Sequence, residues 1–158
     1  MRATIFLAGH AKWWKAVLAE EPVARDFLLM ALFTGMRKSE IARLRWEHVD
    51  LEGKTLVVPD TKSGDPLQLP LSEFLGGLLA ERRESDPLGE WVFSGRGTGN
   101  HLVETKRMHH RVSEASGITL TFHDLRRTFI TIAKSLDIPH YALKRLLNHR
   151  ADSDVTGG

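Results

Sequence analysis

Between Trp46 and Pro70 the apolar residues change period, and that change limits the fold more tightly than any other stretch of the chain. Thr55-Leu56-Val57-Val58-Pro59 and Pro66-Leu67-Gln68-Leu69-Pro70 are extended, and the polar run Asp60 to Asp65, rich in Thr, Ser, Gly and Asp, joins them as a turn. This predicts a β-hairpin with Lys62 at its tip. On either side the spacing is helical. Residues 10–20 form a first helix. A second opens at Pro22, whose missing N–H is harmless in a first turn, carries Val23, Phe27, Met30 and Ala31 inward, and ends at Gly35. A short third helix covers 37–44, with Ile41 and Leu44 buried.

Past the hairpin, Ser72 caps a helix bearing Phe74, Leu75, Leu78 and Leu79, and Trp91-Val92-Phe93 is read as a third strand. The loop 95–99 is a flexible connector, since no Gly-Lys-Ser/Thr ending makes it a nucleotide-binding loop. Helices resume over 103–115 and 122–136. In the latter, Phe122, Leu125, Phe129, Ile132, Ala133 and Leu136 make one apolar stripe, read as core. Pro139 opens a last helix with Leu143, Leu146 and Leu147 inward, leaving His149 at its C-terminal edge. The expected class is α+β, mainly α-helical with a small three-stranded antiparallel sheet.

At 158 residues the chain has the size of one domain, and no linker or repeat divides it. It holds no cysteine, so neither a disulfide framework nor a thiolate zinc site is available. No apolar run approaches membrane-spanning length and the start does not read as a signal peptide, so a soluble intracellular protein is expected. The net charge of +2 hides an uneven distribution. Residues 101–150 hold nine Lys/Arg against four Asp/Glu and six of the eight histidines, a basic stretch suited to a polyanion through salt-dependent contacts.

Within that stretch, Thr121-Phe122-His123-Asp124-Leu125-Arg126-Arg127-Thr128-Phe129 places His123 and Arg126 three residues apart at a helix opening. That spacing sets an imidazole and a guanidinium on neighbouring positions of one face, within reach of a single phosphate. No metal is expected. His109 and His110 are adjacent and diverge on a helix, and no His-Glu-x-x-His or Cys-His ligand set occurs.

Three stretches carry a wider resemblance: Leu32-Phe33-Thr34-Gly35-Met36-Arg37-Lys38-Ser39-Glu40-Ile41, the run from His123 to Phe129, and Leu146-Leu147-Asn148-His149. With Lys62 in Asp60-Thr61-Lys62-Ser63-Gly64, the chain from about Val17 onward resembles the tyrosine recombinase (phage integrase) family, and within it the prophage and genomic-island integrases of bacteria. The resemblance implies that Arg37 and Arg126 grip the non-bridging oxygens of a scissile phosphate, the planar fork of each giving parallel hydrogen bonds to it. It implies Lys62 as general acid for the 5′ leaving oxygen, His123 as proton acceptor or phosphate ligand, and His149 as the last phosphate donor. Glu40 corresponds to the acid that props the first arginine, and Arg127 to a contact with structure or DNA backbone. No cofactor is implied.

The family's reaction is site-specific DNA recombination through a 3′-phosphotyrosine, on double-stranded attachment sites, by a tetramer in the bacterial cytoplasm. Its nucleophilic tyrosine lies shortly beyond the last histidine, where this chain has none; Tyr141, its one tyrosine, lies upstream and is read as packing. The chain is therefore expected to be a single catalytic-domain fragment without the amino-terminal arm and core-binding domain. By itself it is expected to be monomeric and inactive in cleavage. Two other readings stay open on the residues: strand cleavage like that of a type IB topoisomerase, and a non-catalytic module that binds DNA phosphate.

Overall fold

A computed structural model of the chain describes residues 10–59, 61, 64–96 and 100–135. Among these residues the helices are α1 (Ala11–Leu18), α2 (Pro22–Thr34), α3 (Lys38–Ala42), α4 (Glu73–Ser85), α5 (Lys106–Ser116) and α6 (Phe122–Ser135). A 3-10 turn at Trp46–His48 leads into the strands β1 (Val49–Asp50), β2 (Thr55–Val58) and β3 (Leu67–Pro70). The expected class, mainly helical with one three-stranded antiparallel sheet, is the one observed.

Helix α2 is the axis of the fold. Phe27, Leu28, Leu29, Met30, Ala31 and Leu32 are all buried, so the helix is apolar around most of its circumference and not along one stripe. It touches α1, α3, α4 and α6, which accounts for that burial. One charge of α2 itself is buried: Asp26, 3% exposed, accepts from Arg82 Nη1 of α4 at 3.1 Å and from Arg25 Nε at 2.9 Å. Arg82 also lies over the Phe93 ring and donates from Nε to the Val92 carbonyl. The pair thus ties α2, α4 and the segment after α4 into one unit.

The hairpin forms as its periodicity predicts, with Leu56 opposite Leu69 and Val58 opposite Leu67. All four side chains are buried, whereas Gln68 between them is exposed, the alternation of a sheet with one covered face. The third strand is a correction. It is Val49–Asp50, paired to the other side of β2, and not Trp91-Val92-Phe93. Trp91 makes a single bridge to Arg45, and the Val92 N–H bonds the Leu44 carbonyl. Val92 and Phe93 are consecutive and both buried, so this segment serves as core filling beside the corner after α3.

Smaller boundaries also shift. Helix α3 ends at Ala42, and α5 begins at Lys106, leaving Val103 in an exposed approach to it. Ser72 caps α4 as expected, its Oγ accepting the Leu75 N–H at 3.2 Å. Phe74 of the same helix is exposed and meets the Phe33 ring edge-on.

Helix α6 lies along α2. Leu125 enters the main core, and Phe122 packs edge-on against Phe27 with ring centroids 5.6 Å apart. Farther along, Phe129 and Ile130 surround Ala133. The predicted stripe holds at Phe122, Leu125, Phe129 and Ala133, but Ile130 packs against Ala133 while Ile132 is half-buried; Leu136 and the helix expected after Pro139 lie outside the described residues. No described helix is long and apolar enough to cross a membrane.

Candidate active site

The corner from Thr34 to Glu40 is built before any second element reaches it. Gly35 ends α2 in the left-handed region, φ 67°, which a side chain there would strain. Thr34 folds its hydroxyl back onto the Met30 carbonyl at 2.6 Å, and the same oxygen accepts the Met36 N–H at 3.1 Å. Arg37 is then extended (φ −70°, ψ 149°) and opens α3, its backbone N–H bonded to Glu40 Oε1 at 2.8 Å. Glu40 thus supports Arg37 through the main chain, closing the first turn of α3 by half of a capping box.

Arg126 arrives from α6. It is 8% exposed, and its Nη1 donates to the Gly35 carbonyl, the one that the left-handed turn presents. Its pKa is pushed down to about 10, first by burial and then by the neighbouring Arg37 charge, with Glu40 acting in the opposite sense. The three groups are therefore electrostatic neighbours, and Arg126 remains charged at neutral pH. Two guanidiniums held together with one carboxylate leave an excess of positive charge in a partly desolvated place. A phosphate would neutralise it, and planar forks suit its oxygens.

The start of α6 is fixed by a reciprocal cap. Thr121 Oγ1 accepts the Asp124 N–H at 3.0 Å, while Asp124 Oδ2 accepts the Thr121 N–H at 2.9 Å. The Thr121 backbone and hydroxyl hold the Asp124 carboxyl below its ordinary range against the opposing effect of burial, with smaller contributions from Arg127 and His123. His123 stands exposed between the capping residues, in the first turn, one turn before Arg126. Arg127 is exposed.

The structure therefore brings Arg37 and Arg126 together, although they are far apart in the chain, and places His123 on the same helix face as Arg126. Lys62 and His149 lie outside the described residues, as does Tyr141. The described flanks of the hairpin tip show the chain reversing, with the Gly64 N–H bonded to the Thr61 carbonyl at 3.0 Å. Among the described residues no three His, Cys, Asp or Glu side chains converge as a metal site. His109 of α5 packs against Phe122 at the start of α6, and no spacing in the sequence marks that contact.

The described residues form a mainly helical domain with a small three-stranded sheet, in which two arginines meet at a glycine corner. The phage integrase family model matches residues 16–156, and the chain belongs to that family. It is 30% identical over 144 residues to the prophage integrase IntF of Escherichia coli (strain K12), covering 87% of this chain and 31% of that protein. It is 27% identical over 136 residues to the tyrosine recombinase XerA of Saccharolobus solfataricus, covering 80% and 42%. The chain spans about a third of the length of the first of these relatives.

Solved structures agree on the fold. The Tn1549 transposon integrase in complex with transposon right-end DNA superposes with a TM-score of 0.75 at 16% identity, covering 90% of this chain and 56% of that one. A XerA recombinase crystal structure gives 0.75 at 17%, covering 93% and 54%. A lambda integrase dimer bound to a core site gives 0.71 at 20%, covering 91% and 56%.

Proposed function

We propose that this chain is the catalytic domain of a tyrosine-type site-specific recombinase that integrates or excises a prophage or similar mobile element. The observation that carries this reading is the seating of Arg126 on the Gly35 carbonyl beside Arg37, which makes a two-arginine cradle for one phosphate. Negative charge builds on the non-bridging oxygens as a phosphodiester is cleaved, and fixed donors placed where it develops stabilise it without reorganisation. The backbone bonds of Thr34, Glu40 and Gly35 supply that rigidity to Arg37, and the Gly35 contact supplies it to Arg126.

In this reading the tyrosine hydroxyl of the complete enzyme attacks phosphorus, its proton passing toward His123. The 5′ oxygen leaves with a proton from Lys62, and His149 donates to a phosphate oxygen. The product is a 3′-phosphotyrosine ester, which keeps the bond energy needed to rejoin another strand. The partners are double-stranded attachment sites in the bacterial cytoplasm, with four catalytic domains assembled on two of them. Residues 1–158 by themselves are proposed to bind DNA as a monomer without cleaving it.

The test offers the complete gene product a nicked suicide duplex carrying its attachment site. A denaturation-resistant protein–DNA adduct that Arg37→Ala and Arg126→Ala both lose is the expected result. An adduct formed undiminished by either variant overturns the cradle reading.

A further inference from the structure

His109 and His110, adjacent in sequence, have opposite surroundings. His110 is exposed on α5, its Nε2 3.8 Å from Glu114 Oε1. His109 turns inward. Its ring lies 4.7 Å from that of Phe122, tilted by 56°, and its Nε2 is buried without a hydrogen-bond partner. The charged groups that act on it come from the two other elements meeting there, Lys38 of α3 and Asp124 of α6. Each is the chain neighbour of a proposed site residue: Lys38 follows Arg37, and Asp124 follows His123. Phe122, which His109 touches directly, precedes His123 and rests against Phe27, itself edge-on to Phe93.

The ring thus sits at the joint between α5 and the first turn of α6, where the charge of Lys38 from the start of α3 also reaches it. We infer that His109 is a positioning residue for the phosphate cradle: seated uncharged against Phe122, it sets the first turn of α6, and so His123 and Arg126, relative to Arg37. A proton on this ring adds a charge that the joint does not accommodate and loosens that turn. This inference rests on the reading of Arg37, His123 and Arg126 as a phosphate site.

The chemistry of the joint fits a ring that works uncharged. Burial first, and Lys38 second, favour the neutral imidazole and hold its pKa below the ordinary value, with Asp124 opposing more weakly. A lowered histidine pKa means that the released ring takes up a proton more readily than the seated one. The seating is therefore complete above about pH 6.5 and weakens as pH falls below it. The ring contact with Phe122 uses no ring nitrogen, so a phenyl ring can also make it.

The test measures affinity of the 158-residue chain for a short fluorescent duplex at constant ionic strength, for the wild type, His109→Phe and His109→Gln, at pH about 8 and about 5.5. All three proteins share every other titratable group, so the variant-to-wild-type ratio isolates position 109. The expected result is that both variants gain on the wild type by about threefold or more between the two pH values, because neither can take up a proton there. Phe keeps the aromatic contact and Gln keeps a polar, uncharged side chain, so either one, if folded by circular dichroism, decides the matter. A ratio that is flat with pH, or that moves toward the wild type, overturns the inference. Arg126→Ala and Arg37→Ala, measured alongside, separate this from failure of the cradle itself: if neither reduces affinity by more than one ordinary salt contact, the phosphate site is what fails.

Discussion

Arg126 on α6 donates from Nη1 to the carbonyl of Gly35, the residue that ends α2, and this contact joins the two motifs on which the site depends. The carbonyl is available because Gly35 has φ 67°, turning the chain out of the helix and toward α6. Replacing Arg126 by Ala removes the donor to that carbonyl as well as a charge. We expect a loss of about 1–3 kcal/mol in folding stability from the acceptor left unpaired. In the cleavage assay proposed above we expect a further loss of about 3–4 kcal/mol in transition-state stabilisation, by analogy with an oxyanion donor. Arg126→Lys keeps the charge and loses the fork, and should recover the salt dependence of binding without recovering cleavage. Urea titration and the slope of DNA affinity against salt separate these effects.

Glu40 acts on both arginines by different routes. Its Oε1 accepts the Arg37 N–H, and its charge favours the cationic form of Arg126. Glu40→Gln retains an acceptor of the same reach and is expected to keep the turn, whereas Glu40→Ala should cost about 1 kcal/mol, in line with loss of a capping group. The Arg126 pKa should fall below its present value in both variants, since the opposing carboxylate is gone in each. Chemical denaturation measures the first effect, and NMR titration of the guanidinium in the alkaline range measures the second.

Legibility in the sequence followed the range of the interactions. The glycine stop after α2, the Ser72 cap and the hairpin were readable because each depends on residues within a few positions of one another. The third strand was not, because Val49–Asp50 is two residues long and shows no period, while Trp91-Val92-Phe93 has strand composition but fills core. In the site, Arg37 and Arg126 were marked by their motif contexts. Their meeting through Gly35 is a tertiary fact that no spacing encodes. His109 was the least legible: its position is set by which way α5 turns against Phe122, and adjacent histidines carry no sign of that.

The cap at the start of α6 gives a prediction in pH. Thr121 lowers the Asp124 pKa, so the native state holds its carboxylate deprotonated more firmly than the unfolded chain does. A depressed acid pKa contributes stability that is present above the unfolded value, about 3.9, and is lost as pH falls through the folded value. Thr121→Ala removes the hydroxyl that accepts the Asp124 N–H and is expected to destabilise by about 1 kcal/mol near neutrality. It should also raise the Asp124 pKa part of the way toward its ordinary range, since the larger cause, the Thr121 backbone N–H, remains. The acid limb of stability against pH should therefore be shallower in the variant, which thermal melts between pH about 2 and 6 would record.

The buried charge of Asp26 sets the expected outcome for the scaffold. Its carboxylate is held between Arg25 and Arg82, with the Arg82 side chain nearly as enclosed as its own. Removing one partner of a buried pair leaves the other charge uncompensated, which typically costs about 3–5 kcal/mol, more than the pair's own net contribution. Asp26→Ala is therefore expected to destabilise strongly, since Arg82 would lie over Phe93 and beneath α2 without its acid. The double variant Asp26→Leu with Arg82→Met replaces both charges by apolar groups and should recover most of that loss. Urea unfolding of the two variants and the wild type gives the comparison. Recovery in the double variant would show that the pair orients α2 against α4 without being needed for stability, whereas no recovery would assign the loss to the Arg82 bonds with the Val92 and Pro22 carbonyls.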